Sequence, residues 1–209
     1  MAVFPLFTDL KDKRCVIVGG GPVACRKIEI LLRFEAGIVV VAPEIHSSVI
    51  ALAENHNIQI FRTPYEGHFI DNAFLVVAAT SDEGVNENVY IDAIKRNIPV
   101  NVVDDPEKCT FIFPSVIKRG ALTIGISTSG VYPALSKRIR KITEDIFSEE
   151  YTGILDLLAD FRLKVRKSSL EQPEREKLLG SVLDEFYKNG VITADALCDI
   201  LNNIEITES

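Results

Sequence analysis

The strongest constraint on this chain lies between residues 15 and 24. Cys15-Val16-Ile17-Val18 is a short apolar run that ends at Gly19-Gly20-Gly21 and continues as Pro22-Val23-Ala24. An uninterrupted apolar run reads as a strand buried on both faces, the form strands take inside a parallel sheet. The glycines then turn the chain, and Val23, Ala24, Ile28, Leu31 and Leu32 recur at helical spacing. Strand, glycine turn and helix in this order make the G-x-G-x-x-A pattern of a dinucleotide-binding βαβ unit. Gly19 permits the tight turn, Gly21 lets a pyrophosphate approach the backbone, and the small Ala24 lets helix and strand pack closely. Pro22 has no N–H, so the amides of Gly21, Val23 and Ala24 are the ones left to receive the anion.

The same alternation continues. Residues 38–42, 58–61, 74–79 and 99–104 read as further strands, Ser47 as the cap of a helix to about residue 55, and Val85, Val89, Ile91, Ala93 and Ile94 as a helical stripe. Strands alternating with helices predict an α/β fold with a Rossmann-type parallel sheet. Right-handed crossovers place Gly19, Ala42, Thr80 and Asp104 along one sheet edge, where such sheets bind ligands. The acidic residue expected to hold the ribose is missing after the second strand, which runs Val41-Ala42-Pro43-Glu44. Either Glu44 reaches the ribose or backbone groups near Pro43 do. No arginine near Pro43 awaits a 2′-phosphate, which favours NAD over NADP.

The pattern changes near residue 106. Residues 110–113, 116–117 and 121–126 read as short strands with no intervening helix, and Pro133 opens a helix to about Phe147. From Tyr151 onward the spacing is helical. The expected organisation is an NAD-binding Rossmann domain over 1–113, a small α+β segment over 114–148, and a C-terminal helical domain over 149–209.

The net charge of −7 argues against a nucleic-acid partner, which needs a basic face. Yet residues 108–143 contain no Asp or Glu, while Lys108, Lys118, Arg119, Lys137, Arg138, Arg140 and Lys141 lie there. Such a zone in an acidic chain is either a site for an anionic small molecule or a solvated face. Ser127-Thr128-Ser129-Gly130 precedes the Pro133 helix; its hydroxyls and amides can bind carboxylates or simply cap the helix. No apolar run approaches the roughly 20 residues that span a bilayer, and the N-terminus lacks a signal-peptide pattern, so no membrane and a cytoplasmic location are expected. Cys15, Cys25, Cys109 and Cys198, like His46, His56 and His68, fit no metal spacing and read as reduced thiols and surface imidazoles. A dehydrogenase needs a proton acceptor, and no tyrosine here has a lysine four residues on. Asp104, at the end of the fifth strand, is the best candidate base, although Asp104-Asp105-Pro106 is also a turn signature.

These residues resemble a known family, the precorrin-2 dehydrogenase/sirohydrochlorin ferrochelatases that form the N-terminal module of siroheme synthase. The resemblance is carried by Pro5-Leu6-Phe7 with Leu10, residues 16–24 with Arg26-Lys27, and Ala78-Ala79-Thr80 with Val85-Asn86. It continues through Asn101-Val102-Val103-Asp104, Phe113-Pro114-Ser115 and Ser127-Thr128-Ser129-Gly130 to Pro133. It spans residues 1–145 and, less distinctly, the helical tail. It implies NAD-dependent oxidation of precorrin-2 to sirohydrochlorin, ferrochelation in bifunctional members, and a homodimer formed through the segment after the Rossmann domain. The family's essential aspartate falls on Asp104, and its cofactor contacts fall on Pro22, Val23, Pro43 and Glu44. A polycarboxylated tetrapyrrole gives the basic zone a purpose, with Lys137, Arg138, Lys141, Ser127, Thr128 and Ser129 as candidate substrate contacts. The fused methyltransferase module of the family is not expected here, so another protein would make precorrin-2. The rivals are a non-enzymatic NAD-sensing regulatory domain, which normally carries the missing ribose acid and needs no basic zone, and a different oxidoreductase on the same scaffold. If the basic zone serves the tetrapyrrole, changing Arg138 and Lys141 to Glu raises its Michaelis constant and leaves NAD affinity nearly unchanged. A wild-type Michaelis constant at low salt, where charge is least screened, would mark the zone as a solvated face only.

Overall fold

The computed structural model describes residues 3–188 and 193–204. Five parallel strands, β1 (Arg14–Val18), β2 (Gly37–Val41), β3 (Ile58–Phe61), β4 (Leu75–Ala78) and β5 (Val100–Val102), form one sheet in the order β3-β2-β1-β4-β5. Side chains alternate across it. Cys15 and Ile17 of β1, Ile38 and Val40 of β2 and Val77 of β4 enter a core shared with α1 (Pro22–Leu32) and α2 (Ser47–Asn55). Val16, Val18, Val39, Val41, Val76 and Ala78 enter a second core on the opposite face, shared with α3 (Glu83–Lys95). Burial on both faces is why these strands are continuous apolar runs rather than alternating ones. Chain order reverses between β1 and β4, so the ends of these two strands flank the crevice where open α/β sheets take their ligands.

Two local expectations are corrected. The cap of α2 is His46, whose Nδ1 accepts from the Ser48 amide at 3.2 Å, while Ser47 is already helical. The imidazole sits in the position usually given to a hydroxyl or carboxylate, so the composition signal pointed one residue too far. Residues 110–113 form no strand. Thr110 instead closes the edge of β5 with its amide on the Val100 carbonyl (2.8 Å) and its hydroxyl accepting from the Val100 amide (2.8 Å). Asn101 Nδ2 then takes the Phe111 carbonyl at 3.1 Å, and Phe111 and Phe113 turn onto the first core. One main-chain bond and two side-chain bonds, rather than a ladder, satisfy this backbone.

The chain divides into two units, Met1–Phe113 and Pro114–Ser209. The second opens with an antiparallel hairpin, β6 (Ser115–Arg119) and β7 (Leu122–Ile126), turned at Gly120 with φ +53°. Helix α4 (Pro133–Ile146) packs on the hairpin, and α5 (Tyr151–Lys167), α6 (Gln172–Lys188) and α7 (Ala194–Asn202) enclose a separate core of Tyr151, Ile154, Phe161, Val165, Val182, Phe186 and Leu197. Arg119 joins hairpin to helices by donating to the Phe147 carbonyl at 3.1 Å and pairing with Glu149 at 3.0 Å. Among the described residues no helix is long and apolar enough to cross a membrane.

Gly19 has φ +126°, and a Cβ there would lie 2.3 Å from the Ala79 carbonyl oxygen. Gly19→Ala is therefore expected to cost about 3 kcal/mol or more, measured by urea unfolding. A loss below about 0.5 kcal/mol, the range of an ordinary surface substitution, would show that the turn relaxes freely.

Candidate dinucleotide site

The turn between β1 and α1 is held from both sides. Gly19 N donates to the Val41 carbonyl (2.9 Å) and Ala79 N to the Val18 carbonyl (2.8 Å), carrying the ladders past the end of β1. The His46 amide donates to the Gly20 carbonyl at 2.9 Å. A Cβ on Gly20 would meet the Glu44 carbonyl oxygen at 2.3 Å and Ile45 Cδ1 at 2.9 Å. Gly20 is thus the residue that lets the β2–α2 loop lie against the turn, a role assigned to no side position of the motif in the sequence. The surroundings of Gly21 are opposite in kind: a Cβ there meets nothing within 4 Å.

Gly21 is the N-cap of α1, and Pro22 occupies the first helical position, where its missing N–H costs nothing. The amides of Gly21, Val23 and Ala24 begin the helix, and its first turn contains no acidic residue. The positive end of the helix is therefore not offset by the chain's own carboxylates, and it opens onto free space beside Gly21. These residues fit the pyrophosphate of a dinucleotide. Pro43 and Glu44 are exposed at the end of β2, next to the turn. Thr80, at the end of β4, is committed inward: its hydroxyl lies 2.8 Å from Asn86 Oδ1 and accepts from the Asp82 amide at 3.1 Å, and its carbonyl accepts from Asn86 Nδ2 at 3.0 Å. Asn86, nearly buried, holds the β4–α3 turn that borders the crevice.

Asp104 follows β5 in the left-handed region, with φ +62°, and its carboxylate is exposed with no hydrogen bond or ion pair among the described residues. Its neighbour does the local work. Asp105 Oδ2 lies 3.0 Å from Lys108 Nζ, which also holds Glu87 of α3 at 2.6 Å. The hydrogen bond from Lys108 holds the Asp105 carboxyl below the usual carboxylate range, and the Glu87 and Asp105 carboxylates raise the Lys108 ammonium above its own. Cys109 completes the loop, its thiol 3.3 Å from the Val102 carbonyl and 3.2 Å from that of Asp105, with burial pushing its pKa up.

Ser127, Thr128 and Ser129 form a turn of their own in the second unit. The Ser129 amide donates to Ser127 Oγ (3.0 Å) and the Tyr132 amide to Thr128 Oγ1 (3.4 Å), with Ser129 at φ +52°. The N-cap of α4 is Tyr132, without a side-chain cap. Lys137, Arg138 and Lys141 share one exposed stripe of α4, while Arg140 turns to Glu144. Sequence reading missed Gly20, Asn86 and Lys108. Gly20 acts through a loop distant in the chain, Asn86 through its bonds to Thr80 across the β4–α3 turn, and Lys108 was counted as free charge.

A sheet whose order reverses at β1 and β4, with a glycine turn and an open helix start at that point, defines a nucleotide-binding Rossmann domain. Residues 6–115 match a family model described as NAD(P)-binding. The siroheme synthase of Pseudoalteromonas translucida is 37% identical over 195 residues, covering 93% of this chain and 41% of that protein. That of Methylobacillus flagellatus is 38% identical over 167 residues, 80% of this chain and 36% of the relative. The chain thus spans about two fifths of these relatives. The solved structure of SirC, precorrin-2 dehydrogenase, superposes with a TM-score of 0.77 and 26% identity, covering 97% of this chain and 100% of that one. The chain belongs to the NAD(P)-binding family and is a relative of the siroheme synthases, with the fold of SirC.

Gly21→Asp places a negative side chain at the helix start, where an added Cβ meets nothing within 4 Å. It should abolish NAD binding by calorimetry while the thermal midpoint stays at the wild-type value. NAD affinity equal to wild type would remove the turn from the cofactor site.

Proposed function

We propose that the chain oxidises precorrin-2 to sirohydrochlorin with NAD. The observation that carries this reading is Asp104, an exposed carboxylate with no hydrogen bond or ion pair among the described residues, at the same sheet edge as the open glycine turn. Oxidation of this kind removes a hydride and a proton, and bound NAD supplies the hydride acceptor. Asp104 accepts the proton, a task for which an unpaired carboxylate is suited and a committed one such as Asp105 is not. The amides of Gly21, Val23 and Ala24 hold the pyrophosphate, and Pro43 with Glu44 borders the ribose. The backbone at Thr80 lines the crevice, since its hydroxyl is taken by Asn86.

In the second unit, the stripe of Lys137, Arg138 and Lys141 and the hydroxyl turn of Ser127, Thr128 and Ser129 suit a polycarboxylate. We further propose a homodimer formed through residues 114–148. Leu135, Ile142 and Ile146 leave an apolar stripe along α4 open to solvent, with Val131 and Tyr132 exposed just before it, which supports a partner surface there. The four cysteines are free, in keeping with a reducing compartment such as the cytoplasm.

Asp104→Ala should lower turnover by about 10²–10⁴-fold, the usual contribution of a positioned acid–base group, with NAD affinity retained. Asp105→Asn is the control: it disturbs the Lys108 pairing and should leave turnover within a few-fold of wild type. The sirohydrochlorin absorption band reports both. Full turnover in a folded Asp104→Ala protein would exclude Asp104 as the base.

A further inference from the structure

We propose that Lys27 is a substrate-binding residue whose ammonium receives one carboxylate of the tetrapyrrole beside Asp104. This rests on the function proposed above. Lys27 lies on α1, about 7–8 Å along the helix axis from Pro22, well past the amides that face a pyrophosphate. Its ammonium stands over the Phe113 ring, 4.1 Å from the centroid. Phe113 is itself fixed, packed against Phe111 with centroids 5.3 Å apart and joined to the first core. The cation is therefore presented from a rigid platform rather than on a loose tether.

The charges around it are unequal in their commitments. Lys108 is neutralised by Glu87 and Asp105. Arg26 is exposed, with its guanidinium on the Pro22 carbonyl at 3.4 Å. Lys27 is half-buried and makes no ion pair among the described residues. Asp104 and Cys109 lie close enough to favour its charged form electrostatically, but Asp104 is not bonded to it. A cation partly withdrawn from water without a counter-ion is disfavoured, and an aromatic face offsets only part of that loss. An arriving carboxylate supplies the remainder. Bound there, it sets the substrate next to the carboxylate that accepts the proton.

Burial, assisted by Arg26, lowers the Lys27 pKa from its ordinary value, while Cys109 and Asp104 oppose the shift. Lys27 therefore loses its proton at a lower pH than a free lysine. The Michaelis constant for precorrin-2 should rise as pH climbs through that value. Arginine does not deprotonate in this range, so Lys27→Arg should lack the alkaline rise.

Lys27→Met keeps the apolar stem over Phe113 and removes the charge. Its Michaelis constant for precorrin-2 should increase by about 10–100-fold, the effect of losing a charge-assisted bond, with kcat and NAD affinity near wild type. Lys27→Arg should recover most of the loss at neutral pH. A folded, NAD-binding Lys27→Met protein with the wild-type Michaelis constant overturns the assignment while leaving the dehydrogenase reading intact. If the Met variant does not bind NAD, the Arg variant decides: an alkaline rise identical to wild type overturns it. A wild-type protein that binds NAD yet neither binds nor oxidises precorrin-2 overturns both.

Discussion

Where β1 leaves the sheet, main chain packs directly on main chain. A methyl group at Gly19 would sit 2.3 Å from the Ala79 carbonyl oxygen, and one at Gly20 would sit 2.3 Å from that of Glu44. Because neither is present, the ends of β2 and β4 close in on the turn from either side, with the His46 amide on the Gly20 carbonyl. The turn cannot drift, so α1 starts at one place and in one direction. The open space beside Gly21 is a consequence of that rigidity: two glycines are filled against the protein so that the third can face outward. Close packing rests on Gly19 and Gly20, and the proposed cofactor contact on Gly21 beside them.

Around the end of β5 the controlling factor is which charges are already spent. Lys108 binds carboxylates from two directions and anchors the loop to α3. Asp105 is drawn into that pairing, and the backbone between Val102 and Cys109 is held by the Cys109 thiol and the Asn101 amide. Asp104 is left in a left-handed conformation, a geometry that Asp tolerates better than most side chains. The surrounding bonds hold the loop, and the residue they leave unbonded is the one facing water. Lys27 across from it is likewise unspent. A carboxylate and an ammonium in one neighbourhood, not bonded to each other, fit the substrate site proposed above.

Helix α4 presents three different faces. Ser136 is buried toward the hairpin, with its hydroxyl 3.5 Å from that of Ser115. Lys137, Arg138 and Lys141 make a charged stripe, and Leu135, Ile142 and Ile146 an apolar one that remains exposed. A helix with only a narrow buried face draws little stability from its own chain. The two outward stripes are the surfaces on which the proposed substrate contacts and the proposed dimer rest.

The sequence by itself determined the parallel sheet, the glycine turn and the placement of Asp104 at a strand end. These follow from local signals: uninterrupted apolar runs, Gly19 before a helical stripe, and the alternation of elements. It also contained the acid-free zone, because charge can be counted without coordinates. It did not disclose that Asp105 rather than Asp104 is tied to Lys108, since both carry the same carboxylate and only the φ of +62° at Asp104 separates their directions. Nor did it show that Thr110–Phe113 would leave the strand pattern for a side-chain dock on Asn101, or that His46 would cap α2. Gly20 looked like a spacer because its partner, the Glu44 carbonyl, belongs to the next loop. Lys27 stood beside Arg26 in the family resemblance without a role of its own, because its platform, Phe113, lies at the far end of the domain in sequence. Local propensity is written residue by residue, whereas the commitments of charges and the room around a glycine depend on atoms brought together only when the chain closes.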